Sequence, residues 1–329
     1  MDLRSIFFLF LIFFCTSCAK TKSEKTDEAI DVALTYLSDS QCSKAIKVLE
    51  SAGRTTANPI YLQVLASAYA CRGGYSEIDF LTTEVNKIDS TLAGFMKSLT
   101  TFIWSDESEA DSDTYVDFQE AIDILLYVDD QQPSQVRREA KYGTRKAGDM
   151  AVQALFLGLS QLGKFLDFYG NVNVLGVKGG GAPNTDEQGA TASTCFITYT
   201  YGPSIAYLGS GAGGACISPG SFVGHPNLSL AGASLATTKI RMCQGLMLIT
   251  NIIDILDNTT FPTGAPFDDL ASVATTIGAL KTAVTAANPA LVTLLDTTSQ
   301  EVCESLVSDS TEFNNLQLIY ALLFETNLP

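Results

Sequence analysis

Histidine occurs once in this chain of 329 residues, as His225, and tryptophan once, as Trp104. A single imidazole excludes histidine-rich zinc sites and di-histidine metal centres. It also leaves a serine triad with one candidate base, His225, which reads as a solvated residue of a His225-Pro226 loop. No G-x-S-x-G elbow accompanies it. Basic residues are scarce: 20 Lys and Arg stand against 36 Asp and Glu, for a net charge of −16. That balance argues against nucleic acid as a partner and against charge-driven binding to anionic lipid. Long apolar runs are missing too, since Lys239, Arg241 and Gln244 break up the most apolar internal stretch before it reaches membrane-spanning length. The segment Gly209-Ser-Gly-Ala-Gly-Gly214 superficially resembles a phosphate loop. It lacks a βαβ setting, and no Gly-Lys-Ser/Thr follows, so no nucleotide site is expected. Neither a metal nor a cofactor is implied by these residues.

What the chain does have is 46% hydrophobic residues, enough to bury a sizeable core. Its length suits one large domain or two packed subdomains. It opens with MDLRSIFFLFLIFFCTSC, in which Arg4 precedes an unbroken apolar run from Ile6 to Phe14 and small residues close the segment. This is the order of a secretory signal, and the run is too short to cross a bilayer as a helix. The Cys15-Thr16-Ser17-Cys18 ending resembles the lipobox of bacterial lipoproteins, with Cys15 where that family usually has an aliphatic residue. The resemblance implies that residues 1–17 are removed and that Cys18 carries lipid, which would anchor the chain stably once more than one acyl chain is attached. By the same resemblance, Ala19 after the anchor leans toward the outer membrane, facing the periplasm. The alternative is an ordinary secretory signal cut near Ser17.

Export changes how the cysteines read. With Cys15 removed and Cys18 acylated, Cys42, Cys71, Cys195, Cys216, Cys243 and Cys303 remain, an even set that predicts disulfides in an oxidising compartment. No C-x-x-C spacing occurs among these six. Cys42 opens one helical pattern and Cys71 closes the next, so an antiparallel pair brings them to the same end. Cys195 and Cys216 bracket a Gly-rich segment, and Cys243 and Cys303 are left to join two later helices.

The periodicity predicts an all-α fold. Residues 18–26 form a polar tether. Helical patterns follow from Asp27, from an N-cap at Ser40, from Asn58-Pro59 and from Ser76. Ala45, Leu49 and Ala52 have the small-large-small spacing of tetratricopeptide-type second helices, and residues 27–89 weakly resemble that family; a generic helical-hairpin array fits equally. Residues 27–130 are read as this hairpin region and residues 131–329 as a helical bundle. The bundle is built on two apolar helices, Ser134–Phe168 and about 228–256, with a Gly-rich insert over 170–227 between them. Residues 90–104 give one more helical pattern, and three close the chain near 268–287, 289–307 and 311–325.

Ten acids and no base lie between Lys97 and Arg137. The EF-hand pattern fails there, because Tyr115 and Ile122 occupy ligand positions and the central Gly is absent. The acidic stretch is expected to lead into a helix from Thr114, with the basic residues 137–146 screening it; a cation site is the sharper alternative. In the insert, Phe196, Tyr199, Tyr201, Tyr207 and Phe222 either form a recognition surface for a glycan, peptide or apolar ligand, or fold inward over the apolar helices.

By analogy with helical arrays, these features lead to a non-enzymatic, lipid-anchored scaffold whose partners are the membrane, through its lipid, and other envelope proteins. A transport accessory holding a small apolar ligand between the central helices is second. An envelope hydrolase is third.

Overall fold

A computed structural model describes residues 20–84, 112–127, 133–170, 195–212, 216, 224–225, 228, 235–259, eight positions between 275 and 286, and 288–326. The signal segment, including Cys15 and Cys18, and also Trp104 and Phe222 lie outside these residues. Among the described residues the architecture is all-α, and the only β-type pairing is an isolated bridge between Cys195 and Gly224. No helix of the described residues is long and apolar enough to cross a membrane.

Helix α1 (Lys22–Ser38) starts earlier than the apolar pattern suggests. Thr21 and Glu24 form a reciprocal capping box, so residues 22–26 are its first turn rather than a tether. A short link through Ser40, at φ +56°, leads into α2 (Cys42–Ala52); Gln41, not Ser40, holds the cap position, and it makes no side-chain cap bond. Helix α3 (Pro59–Arg72) starts as its sequence predicts. Asn58 Oδ1 accepts from the Ile60 and Tyr61 amides, and Pro59 occupies the first turn, where its missing N–H costs nothing. Tyr61 donates to the Leu49 carbonyl, and the Cys42–Cys71 disulfide closes the pair with its Cα atoms 5.6 Å apart. The pattern from Ser76 begins as one turn, Glu77–Asp79, running into a π-helical turn, Phe80–Glu84, and its continuation lies outside the described residues.

Helix α4 (Asp113–Leu126) is capped by Ser112 and packs on α3. Arg72 makes two 2.6 Å hydrogen bonds to the Asp117 carboxylate across that contact. The expected single helix over Ser134–Phe168 is two, α5 (Gln135–Tyr142) and α6 (Thr144–Gly170). Gly143 between them takes φ +80°, a backbone conformation that ends α5 and redirects the chain. Helix α7 (Gly202–Tyr207) is a short element of the insert, and α8 (Leu235–Asn258) is the second apolar helix. The predicted helix over 289–307 is also broken. Pro289–Leu291 and Val292–Leu295 form short turns, Thr297, Thr298 and Ser299 are non-helical, and α9 (Gln300–Leu306) restarts on the Ser299 cap. Helix α10 (Ser310–Tyr320), capped by Asp309, continues as a π-helical turn to Glu325.

One apolar cluster runs from Ala29 to Phe324, so the hairpin region and the bundle share a core across residue 130. The all-round apolar character of α6 and α8 follows from their place in it: α6 packs against α3, α4, α5 and α8. The fully buried Arg138 ties three elements at one point. It donates to Gln135 Oε1 and the Leu126 carbonyl and lies 3.8 Å from Asp254 of α8. Asp254 in turn accepts from the Gln135 amide.

Candidate functional site

A cavity of about 380 Å³ lies between the central helices. Helix α4 presents Gln119, Ile122, Asp123 and Leu126 to it, the i, i+3, i+4, i+7 face of one helix. Helix α6 contributes Ala154 and Gly158, both small, and this keeps the space open. Helix α8 supplies Ile240, Arg241, Gln244, Met247, Leu248, Asn251, Ile252 and Ile255. Thr298, Gln300 and Glu304 close the side nearest α9.

That last wall is fixed to α8 in several places. The Cys243–Cys303 disulfide spans a Cα distance of 5.8 Å. Asn251 Nδ2 donates to the Thr298 carbonyl, Gln300 Nε2 to the Ile240 carbonyl, and Lys239 Nζ to the Glu304 carbonyl. The chain thus breaks at 297–299 where α8 reaches across to take up its carbonyls, a long-range partner invisible to local periodicity.

Nine of the twenty lining residues carry polar or charged side chains, besides two tyrosines, and Asp123, Arg241 and Asn251 stand out among them. The Asp123 carboxylate accepts one side-chain hydrogen bond, 2.9 Å from Gln119 Nε2, and has no cation partner among the described residues. Surrounding protein and the neighbouring Glu120 charge push its pKa up from 3.8 to about 7, with burial the larger cause; the Gln119 bond opposes them. Arg241 holds its guanidinium over the Tyr169 ring at 5.7 Å. Asn251 spends Nδ2 on the Met247 and Thr298 carbonyls, both at 2.9 Å, while its Oδ1 is buried with no hydrogen-bond partner.

The residues singled out from sequence fall elsewhere. All three disulfides pair as expected, Cys42–Cys71, Cys195–Cys216 and Cys243–Cys303. Phe196 and Tyr199 fold inward rather than forming a recognition surface. The Phe196 amide and Tyr199 hydroxyl both donate to the buried Glu325 carboxylate, at 2.8 and 3.0 Å. Tyr201 and Tyr207 are half-buried; the Tyr201 amide donates to Gln317 Oε1, and the Tyr207 hydroxyl pairs with Thr326. None of these aromatics lines the cavity.

His225 is buried rather than solvated. Its amide donates to the Cys195 and Phe196 carbonyls, and burial drops its imidazole pKa to about 4. Glu325 lies within ligand reach of Cys195 and Cys216, but those sulfurs are joined in a disulfide and hold no lone thiolate for a metal. Two of the described acids of the acidic stretch turn to separate basic partners. Asp117 pairs with Arg72 and Glu120 with Arg54, so bases of the hairpin region neutralise them, whereas Arg138 turns inward to Asp254.

Sequence reasoning missed Asp123, Gln119 and Asn251. Asp123 was hidden among ten acids, and its one distinguishing signal is its place on the apolar face of α4, one residue after Ile122 and three before Leu126. Fold and cavity together define a disulfide-stapled, all-α protein with a small-molecule-sized space between its central helices. Protein-family models, curated proteins and solved structures contain no match to the chain.

Proposed function

We propose that this is an exported, lipid-anchored protein of the bacterial envelope that holds a small, mostly apolar molecule between its central helices, without catalysis. The cavity carries this reading. Its volume of about 380 Å³ falls within the range of small-molecule pockets, and its walls set Ile, Leu, Met and small residues among polar and charged side chains that can orient a ligand. The reading promotes the transport-accessory alternative over the bare scaffold. Export is supported by the signal-like opening and by three disulfides, which persist in oxidising compartments. Anchoring at Cys18, on the periplasmic face of the outer membrane, rests on the lipobox resemblance.

The scaffold reading stays second because Val32, Leu34, Ile60 and Val116 expose apolar side chains on the α1–α4 array, where envelope proteins can dock. Two experiments test the proposal. Organic extracts of purified protein, examined by mass spectrometry, are expected to yield a reproducible small molecule; extracts that never contain one favour the scaffold. Labelling with a palmitate analogue is expected to depend on Cys18, and equal label in Cys18→Ala contradicts the anchor.

A further inference from the structure

We infer that the cavity selects amines: molecules with an apolar body and a protonated nitrogen that seats on the Asp123 carboxylate of α4. This rests on the cavity being a ligand site and adds the chemistry of the ligand.

Two polar groups of the cavity, Asp123 and Asn251, present acceptors whose capacity is unfilled among the described residues. Asp123 Oδ1 takes one hydrogen bond from Gln119, and no side chain among the described residues donates to Oδ2. The Asp123 carboxylate is half-buried in a lining that includes Ile122, Ile252 and Ile255, and a charge that has lost part of its water without gaining a counter-charge is costly. On the α8 wall, the Asn251 amide cannot flip to offer its donors, because Nδ2 is held by two carbonyls at 2.9 Å. Its Oδ1 therefore stays an acceptor, and it is buried without a partner.

The ionisable groups around the cavity sharpen the choice. Glu120 follows Gln119 on α4 and adds like charge to Asp123, and Glu304 lines the α9 side. Tyr127 and Tyr169 are the phenols of the lining, and Arg241 is its only cation, held over Tyr169. Among the described residues, the lining therefore has two carboxylates and one guanidinium, and the carboxylate on the α4 wall makes no ion pair. An ammonium group supplies the missing charge and the missing donors together, whereas an alcohol supplies only a donor and a carboxylate adds repulsion at Asp123.

The test is calorimetric titration of the full chain with n-octylamine, n-octanol and octanoate at a pH above the Asp123 titration. The amine is expected to bind about tenfold tighter than the alcohol, or better, and octanoate weakest. Asp123→Asn, which keeps shape and removes charge, is expected to erase the preference for the amine while the alcohol still binds. An alcohol equal to the amine, or octanoate binding best, overturns the amine assignment and leaves the cavity a ligand site. Amine binding that Gly158→Leu does not weaken places the probe elsewhere and also overturns it. If no probe binds, both the assignment and the ligand-site reading fall.

Discussion

Gly158 of α6 faces Ile252 of α8 with room to spare: a Cβ at position 158 would lie 3.5 Å from Ile252 Cγ1, an ordinary contact distance. Gly245 of α8 is the opposite case. A Cβ there would lie 2.5 Å from both Phe165 Cζ and the Tyr320 hydroxyl, which itself donates to the Met242 carbonyl. Gly158→Ala is therefore expected to raise stability by about 0.5–1 kcal/mol, the gain of replacing a mid-helix glycine. Gly245→Ala is expected to lower it by about 1–3 kcal/mol through overpacking. Thermal melts of the two variants against the parent check both signs.

The Arg72–Asp117 pair clamps α3 to α4, and its two ends differ in exposure: the Arg72 side chain is 41% exposed and that of Asp117 is 9%. Arg72→Ala leaves a buried carboxylate unpaired, and solvent near the arginine moderates the loss. Destabilisation of about 1–3 kcal/mol is expected. Replacing both residues together is expected to cost less than the sum of the single changes, which a double-mutant cycle by urea denaturation measures.

Asp123 and His225 give opposite pH dependences. Asp123 binds its proton more tightly folded than unfolded, so its contribution to stability falls as pH rises from about 4 through about 7. His225 binds its proton less tightly folded, with a pKa of about 4 against 6.5, so its contribution rises over that interval. The two oppose each other between about 4 and 6.5. Asp123→Asn is expected to leave stability rising with pH up to about 6.5, and His225→Gln to leave it falling up to about 7. Chemical denaturation at a series of pH values reads the slopes.

The disulfides close loops of different length, with sequence separations of 60, 29 and 21 for the 243–303, 42–71 and 195–216 links. By loop entropy, the longest contributes about 4 kcal/mol and the others about 3–4 kcal/mol. Paired Cys→Ser replacement of 243 and 303 is expected to lower the melting temperature most. It is also expected to loosen the α9 side of the cavity, seen as faster hydrogen exchange at the Val302 and Cys303 amides.

The helices were legible where local chemistry decides them. Asn58-Pro59 starts α3 through its own side chain, and the helix expected from Thr114 behind the acidic stretch is α4. The Cys42–Cys71 pair followed from helix ends that antiparallel packing brings together, Cys195–Cys216 from the Gly-rich segment it brackets, and Cys243–Cys303 from the two cysteines left over. What the sequence left open or missed depended on distant partners. The break at Thr297–Ser299 needs Asn251 on α8, and the inward turn of Phe196 and Tyr199 needs Glu325 more than a hundred positions away along the chain. His225 looked solvated beside Pro226, but it is buried where its amide meets the Cys195 and Phe196 carbonyls. The cavity was legible only as two apolar helices. Gln119 and Asp123 come from α4, which the sequence assigned to the hairpin region, and Thr298, Gln300 and Glu304 come from beyond both apolar helices.

The central claim is that a small molecule occupies the space beside Gly158, and native mass spectrometry of the protein as purified tests it most directly. The parent chain is expected to carry a bound small molecule of constant mass, and Gly158→Leu, which fills the cavity from the α6 side, is expected to lose it while keeping its helical content. A parent chain without any bound molecule, or a Gly158→Leu variant that keeps the same one, would contradict the claim.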